Sequence, residues 1–448
     1  MITFSNEQQE VLNKYIHGEN VFITGPGGTG KSAIIREIYK DAKIKGKNIQ
    51  VCALTGCASV LLQCNAKTIH SWAGIGQGTG CVEDIVKRVN DSRHRKKKWT
   101  EVDILVVDEV SMMSRKLFEL LDAVGRKTRK NTAVSFGGIQ VLFSGDFFQL
   151  PPVGDLDEPE TSQFCFESDD WREAFPLQNQ VTLKQIFRQA DPVYANILNQ
   201  LREGQLKRSS YDILLTRLGK KFDLDAAVRP TKLFPKRHKV DQINQVEMAS
   251  LSGEAKTYKM KRVYDIVNCA TGVKTKKTDA FCTKEEKEYE FGYLEKSVPS
   301  TMEVTLKVGA QVMCVVNMET CVGQGAAFVR LCNGSQGVVV RFNEGGLPVV
   351  KFYGIEVEVV MDYHCWASEA IPSIGVAQIP LILAWALTIH KAQGTTLELA
   401  EIDVGNDVFE CGQTYVALSR VKSLEGLYLS SFNYTKILTS KKVKEFYK

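Results

Sequence analysis

The feature that most restricts this chain is a glycine-rich octet, Gly25-Pro26-Gly27-Gly28-Thr29-Gly30-Lys31-Ser32. It fills the pattern G-x-x-x-x-G-K-S completely, follows the apolar run 21–24 and opens the amphipathic stretch 32–42. A strand that ends in such a loop and restarts as a helix is a phosphate cradle. The glycines let the backbone curl until its N–H groups point at phosphate oxygens. The helix N-terminus adds partial positive charge. Lys31 has the reach for β- and γ-phosphates, and the Ser32 hydroxyl suits Mg²⁺. The bland alternative, a glycine-rich turn without a ligand, does not account for the whole motif in this setting.

The N-terminal half is patterned to carry such a loop. Apolar runs at 50–54, 104–107 and 141–144 read as further buried strands, with helical patterns such as 114–124 between them. That alternation predicts parallel βαβ units, an α/β fold. A second region of this kind starts near 232–234, resumes at 380–389 and ends in a strand at 426–430. Residues about 305–362 differ. The runs 308–316, 337–342 and 349–352 are β-rich, with Asn333-Gly334 and Gly345-Gly346 as turn signals. They read as a small barrel or hairpin cluster inserted into the second α/β domain. The stretch 255–300 is charge-rich and carries no clear period.

Composition narrows the class. The 448 residues suffice for two to four domains, and 44% of them are apolar, ample for real cores. Lys and Arg number 57 against 52 Asp and Glu, a net charge of +5, which is only weak support for a nucleic-acid partner. Twelve cysteines without CxxC pairs argue against a zinc ribbon or a disulfide framework and fit a reduced intracellular compartment. Met1-Ile2-Thr3-Phe4-Ser5 lacks the basic flank and apolar stretch of a signal peptide. The longest apolar run, near 379–389, falls short of the ~18 residues of a membrane span. The expectation is a soluble intracellular protein without a membrane partner, with nucleus, mitochondrion, bacterial cytoplasm and viral factory all open.

Two further elements carry chemistry. Asp108-Glu109 follow the run 104–107, and a carboxylate at the end of a parallel strand sits at the ligand edge of its sheet. Asp108 suits Mg²⁺ held through water, and Glu109 suits orienting or deprotonating an attacking water. Without the phosphate loop the two acids would read as a solvated helix start. The run 141–144 enters Gly145-Asp146-Phe147-Phe148-Gln149-Leu150-Pro151-Pro152, where two prolines stop any helix. Gln149 could contact both water and γ-phosphate, or be a loop amide. No Asn-Lys-x-Asp guanine-reading motif is present, and a metabolite kinase would not need so large a second α/β domain.

At this point the residues resemble a known family. Asp108-Glu109-Val110-Ser111-Met112, Gly145-Asp146-x-x-Gln149-Leu150-Pro151-Pro152 and Thr388-Ile389-His390-Lys391-Ala392-Gln393-Gly394 resemble motifs of superfamily 1B helicases. The match is to the petite integration frequency (Pif) family, related to RecD-type helicases. Thr68-Ile69-His70-Ser71-Trp72-Ala73-Gly74-Ile75-Gly76 resembles its second DNA-contact motif. Ile186-Phe187-Arg188-Gln189 with Asp191 resembles its arginine motif, and Gln413-Thr414-Tyr415-Val416-Ala417-Leu418-Ser419-Arg420-Val421 its last motif. The likeness runs from residue 4 to about 432.

The resemblance implies two tandem RecA-like P-loop domains. The first is 1–190, with a wedge insertion at about 73–100. The second is 191–304 with 371–448, with an SH3-like insertion at about 305–370. It implies an ATP-dependent helicase that moves 5′ to 3′ on single-stranded DNA and opens duplex junctions, as a monomer. It assigns Gln8 to the adenine edge, Gly27, Gly28, Thr29, Gly30, Lys31 and Ser32 to the phosphates and Mg²⁺, and Gly394 to the nucleotide. Arg188 and Arg420 would clamp the γ-phosphate, one per motor domain, as forked permanent charges. Thr55, His70, Thr388, His390 and Lys391 would contact DNA, hydroxyls and Lys on phosphates, His on a base or phosphate. Trp72 and Trp385 read as core. The basic run Arg93-His94-Arg95-Lys96-Lys97-Lys98 reads first as a flexible solvated loop, then as a strand contact, then as a nuclear signal. The family's long terminal extensions have no counterpart, so a bare catalytic core is expected. Two other readings stay open: a nucleic-acid binder that uses ATP as a switch, and a motor acting on RNA or RNA–DNA hybrids.

Overall fold

The computed structural model describes residues 4–448 apart from 56–57, 60–61, 63, 65, 77, 79, 156, 190, 223–228, 267–282, 323–326, 332, 369–370 and 372. Residues 1–3 of the leader reading, the domain limits at 190 and 370, and part of the stretch 255–300 lie outside the described residues. The chain divides into two compact units, Met1–Leu218 with Val404–Lys448, and Gly219–Asp403.

In the first unit the apolar runs become strands β1 (Val21–Thr24), β2 (Ile49–Ala53), β3 (Lys67–Thr68), β4 (Ile104–Asp108), β5 (Gln140–Gly145) and β6 (Gln180–Thr182). They form one sheet in the order β3-β2-β4-β5-β1-β6, parallel at every pairing. Alternation along each strand sends Phe22, Leu105, Val107, Val141 and Phe143 into one core and Val21, Ile23, Ile104, Val106 and Leu142 into another. Both faces are therefore dry, which is why these strands read as unbroken apolar runs rather than alternating ones. Helices α1 (Asn6–Ile16) and α2 (Lys31–Ile44) give Val11, Tyr15, Ile34, Ile35 and Ile38 to the second core.

The other face is covered by α3 (Ile69–Ala73), α4 (Val82–Asp91), α5 (Arg93–Glu101) and α6 (Arg115–Arg129). The basic run expected as a loop is thus helical. Ser92 caps α5 by accepting from the Arg95 N–H at 3.5 Å. Trp99 pins it, its indole N–H donating to the Ala73 carbonyl at 3.1 Å and its ring lying 4.7 Å from that of Trp72. Both indoles are buried, so Trp72 is core.

In the second unit Thr231–Phe234 pairs in parallel with Ala386–Thr388 and Ala400–Val404. The run 380–389 holds two strands. Leu381–Leu383 joins a five-stranded antiparallel sheet beside Gln311–Cys314, followed by Gln336–Phe342, Pro348–Phe352 and Glu358–Val360. Ala386–Thr388 joins the parallel strands instead. The buried Trp385 sits at the corner, its carbonyl accepting from the Lys232 N–H at 2.8 Å. Val312, Cys314, Val339, Val350 and Phe352 fill the core of the antiparallel sheet. Among the described residues no helix is long and apolar enough to cross a membrane.

Candidate active site

Strand β1 delivers the chain to Gly25, whose φ is 140°. A Cβ there would lie 2.5 Å from the Leu183 carbonyl oxygen, so only glycine fits. At the other end of the loop Gly30, with φ 85°, starts α2, and a Cβ would meet Gln8 Nε2 at 2.6 Å. Lys31 opens the helix. Its Nζ donates to the carbonyls of Gly25 at 2.6 Å and Pro26 at 3.0 Å. Burial pulls its pKa down, while the charges of Asp146, Glu109 and Asp108 pull it back up. Three carboxylates thus act on one ammonium. Thr29 donates to the Pro26 carbonyl at 2.9 Å, and Ser32 lies half-buried in the first turn of α2.

Gln8 belongs to a capping box at the start of α1. Its Oε1 accepts from the Ser5 N–H at 3.0 Å and its Nε2 donates to the Thr29 carbonyl at 3.1 Å. That ties α1 to the phosphate loop and, among the described residues, leaves one amide hydrogen and one lone pair on the side chain.

The carboxylates come from the ends of neighbouring strands. Asp108 ends β4 and is buried. Burial first, and the Glu109 charge next, push its pKa up to about 6. Glu109 follows at φ 57° and ψ 40°, a left-handed conformation that non-glycine residues rarely adopt, and such strain gathers at working sites. Gln149 is buried, and its Oε1 has no hydrogen-bond partner among the described residues.

Both arginines of the resemblance fall in this unit. Arg188 is half-buried, and burial lowers its pKa. Arg420 is buried and held by its own helix turn, Nε donating to the Val416 carbonyl at 2.9 Å and Nη2 to Ser419 Oγ at 2.8 Å. Burial first, then the like charge of Arg188, bring its pKa down to about 10, and Glu109 acts against that shift. The Glu109 carboxylate also acts on Arg188. Lys31, Asp108, Glu109, Arg188 and Arg420 are therefore brought together.

Sequence reasoning missed part of this cluster. Asp146 is fully buried and binds Arg202, from the helix α7 (Pro192–Glu203), through Nε at 3.0 and 3.1 Å and Nη2 at 2.9 Å. Tyr415 accepts from the Gly27 N–H at 2.9 Å and donates to Asp146 Oδ2 at 3.3 Å. Gln189 is buried with neither amide atom partnered among the described residues, and its Oε1 lies 3.2 Å from where a Gly28 Cβ would stand. Asp146, Gln189 and Tyr415 lay inside quoted motifs. For Arg202 the one signal is an arginine beside the buried Ile197, Leu198 and Leu201 of its helix.

The expected DNA contacts are divided between the units. Thr55 accepts from the Ala58 N–H at 3.2 Å. His70, on α3, is half-exposed and lines a cavity of about 760 Å³ with Leu54, Met112, Lys116, Pro152 and Val153. Burial lowers its pKa, favouring the neutral ring. In the second unit Thr388 ends its strand and accepts from the Lys391 N–H at 3.2 Å, and the Gln393 N–H donates to the His390 carbonyl at 3.2 Å. Lys391 is exposed. Gly394, with φ 81°, belongs to this turn and this unit.

Comparison with known proteins shows which family shares this sequence and fold. Residues 3–212 match the family model described as PIF1-like helicase, and residues 293–342 match the DNA helicase Pif1 2B domain. The ATP-dependent DNA helicase PIF1 of Danio rerio is 35% identical over 451 residues, covering 99% of this chain and 63% of its own length. The chain thus spans less than two thirds of that relative. The crystal structure of Pif1 helicase from Candida albicans superposes with a TM-score of 0.77 at 32% identity, covering 100% of this chain and 99% of that one. Pif1 helicase from Bacteroides, in complex with ADP-AlF3 and single-stranded DNA, superposes with a TM-score of 0.69 at 25% identity, covering 100% and 97%. With the phosphate loop, the strand-end carboxylates and these matches over the full chain, the protein belongs to the PIF1-like helicase family.

Proposed function

We propose that this chain is an ATP-dependent DNA helicase that translocates 5′ to 3′ on single-stranded DNA and unwinds duplex at junctions, working as a single chain in a reducing intracellular compartment. The observation that carries the reading is the complete phosphate loop ending in Lys31, with Arg188 beside Gly27 and the Arg420 turn tied to the Gly27 amide, all within one compact unit. The residues present fit a magnesium nucleotide. Gly25 and Gly30 shape a cradle that a Cβ would fill, and Gln149 and Gln189 hold buried amide atoms without partners among the described residues. Such atoms are costly unless a ligand meets them.

Each side chain then has a task. Gly28, Thr29 and Gly30 offer backbone N–H groups to phosphate oxygens, Gly27 lets the loop pass close beside them with its own N–H on Tyr415, and Lys31 neutralises charge between the phosphates. Ser32 and Asp108 would hold Mg²⁺, which when bound screens the phosphate charges. Glu109 takes a proton from the attacking water, and Gln149 orients that water. Arg188 and Arg420 stabilise the charge that develops on the equatorial oxygens. The spare amide hydrogen and lone pair of Gln8 match the adenine edge, and Gly394 of the second unit approaches the nucleotide. Thr55 and His70 in one unit and Thr388, His390 and Lys391 in the other give the strand two grips that alternate with turnover. The domain limits that go with this reading are 1–190 with a wedge at about 73–100, 191–304 with 371–448, and an insertion at about 305–370.

Energetically the cycle is ample. ATP hydrolysis yields on the order of 10 kcal/mol in cells, against about 1.4 kcal/mol per base-pair step. Phosphate contacts make loading salt-dependent and largely sequence-independent. The test compares partial duplexes with a 5′ or a 3′ single-stranded tail, in DNA, RNA and hybrid form. ATP-dependent displacement is expected from the 5′-tailed DNA. Displacement only from the 3′ tail overturns the direction, displacement confined to RNA or hybrid duplexes overturns the substrate, and displacement from none leaves an ATP-switched binder.

A further inference from the structure

We propose that Tyr415 is a positioning residue for ATP hydrolysis, tying the helix turn that carries Arg420 to the phosphate loop through the Gly27 amide. The inference rests on reading the site as an ATPase. Tyr415 lies on the helix Gln413–Leu418 and is buried. Its hydroxyl is used in both directions: the Gly27 N–H donates to Oη at 2.9 Å, and the hydroxyl donates to Asp146 Oδ2 at 3.3 Å. The polarity is forced, because an amide N–H can only donate and an ionised carboxylate can only accept.

Both ends of this relay are anchored. Asp146 is gripped by the Arg202 fork and also accepts from the Phe148 N–H at 3.3 Å. The Arg202 guanidinium lies 4.4 Å from the centre of the Phe148 ring, so the pair is packed as well as bonded. At the other end, a Cβ on Gly27 would stand 3.6 Å from Tyr415 Oη and 4.0 Å from Arg188 Nη1, which puts Tyr415 at the arginine side of the loop. Among the described residues the hydrogen bonds of the Arg420 guanidinium go to the Val416 carbonyl and Ser419 Oγ, both on the helix turn that follows Tyr415. A movement of the Gly27 amide is therefore passed by one hydroxyl to the backbone that aims Arg420.

A tyrosine that merely fills space would need its ring and not its hydroxyl, so Tyr415→Phe separates the two roles. In DNA-stimulated ATPase measurements on the full chain, the variant is expected to lose about 10-fold in kcat with KM for ATP within about 3-fold of wild type, the signature of a lost transition-state contact. Thermal midpoints should stay close to wild type. In an Arg420→Lys background, where the fork is already lost, Tyr415→Phe should cost little more. Unchanged kcat, or an undiminished 10-fold loss in that background, overturns the proposal. Lys31→Ala run alongside separates this from the larger reading: turnover surviving Lys31→Ala sinks the ATPase assignment itself, whereas an inactive Lys31→Ala with an unchanged Tyr415→Phe sinks only the role of Tyr415.

Discussion

Around Asp146 the first unit buries a charge pair and closes it completely, whereas around Glu109 it gathers two arginines that repel each other. Arg202 works against burial, and Asp146 more than offsets that cost, leaving the guanidinium pKa raised. Arg420 faces the same burial with Arg188 as its neighbour, and its pKa falls to about 10. The same side chain in one unit thus has opposite fates. A compensated pair rigidifies what it touches, while a crowd of like charges lowers stability and is retained where an anion must be clamped. The phosphate loop touches both regions, through Tyr415 to Asp146 and through Gly28 to Arg188.

The two regions differ most at Arg202. Arg202→Ala leaves the Asp146 carboxylate buried without its partner, and a loss of about 3–5 kcal/mol in unfolding free energy is expected. Denaturant midpoints measure it. A loss below about 1 kcal/mol would mean that the pair is not the rigid element described here. Next comes Glu109→Gln, which keeps the shape and removes the charge that acts on both arginines. Hydrolysis should fall by about 10²-fold or more, a barrier increase of about 2.7 kcal/mol, while nucleotide still binds. Loss of nucleotide binding together with turnover would make Glu109 a structural residue.

How much of this could be read in the sequence follows the range of the forces involved. The phosphate loop, β1 and α2 are specified by consecutive residues, and the glycines sit where local sterics demand them. The strands of the parallel sheet were legible because burial on both faces writes unbroken apolar runs. The run 93–98 misled because its helix has almost no apolar period, and a single indole, Trp99, supplies the anchor. Within the run 380–389, hydrophobicity does not record the change of sheet at Trp385. Asp146 and Arg202 lie 56 residues apart, and Gly27 and Tyr415 lie 388 apart. Pairings at that range leave no local trace, so residues inside recognised motifs could be quoted without their partners being visible.

The coupling between Arg188 and Arg420 is smaller than either loss above, and it reports directly on whether the two serve one γ-phosphate. Each alanine variant should lose DNA-stimulated ATPase by about 10²-fold while nucleotide affinity changes much less. On the proposed reading both clamp the same developing charge, so the double variant should fall well short of the product of the two losses, a coupling of about 1–2 kcal/mol in a double-mutant cycle. Steady-state ATPase of the four proteins at saturating single-stranded DNA gives the answer. Less-than-additive losses are predicted, and full additivity would contradict a shared site.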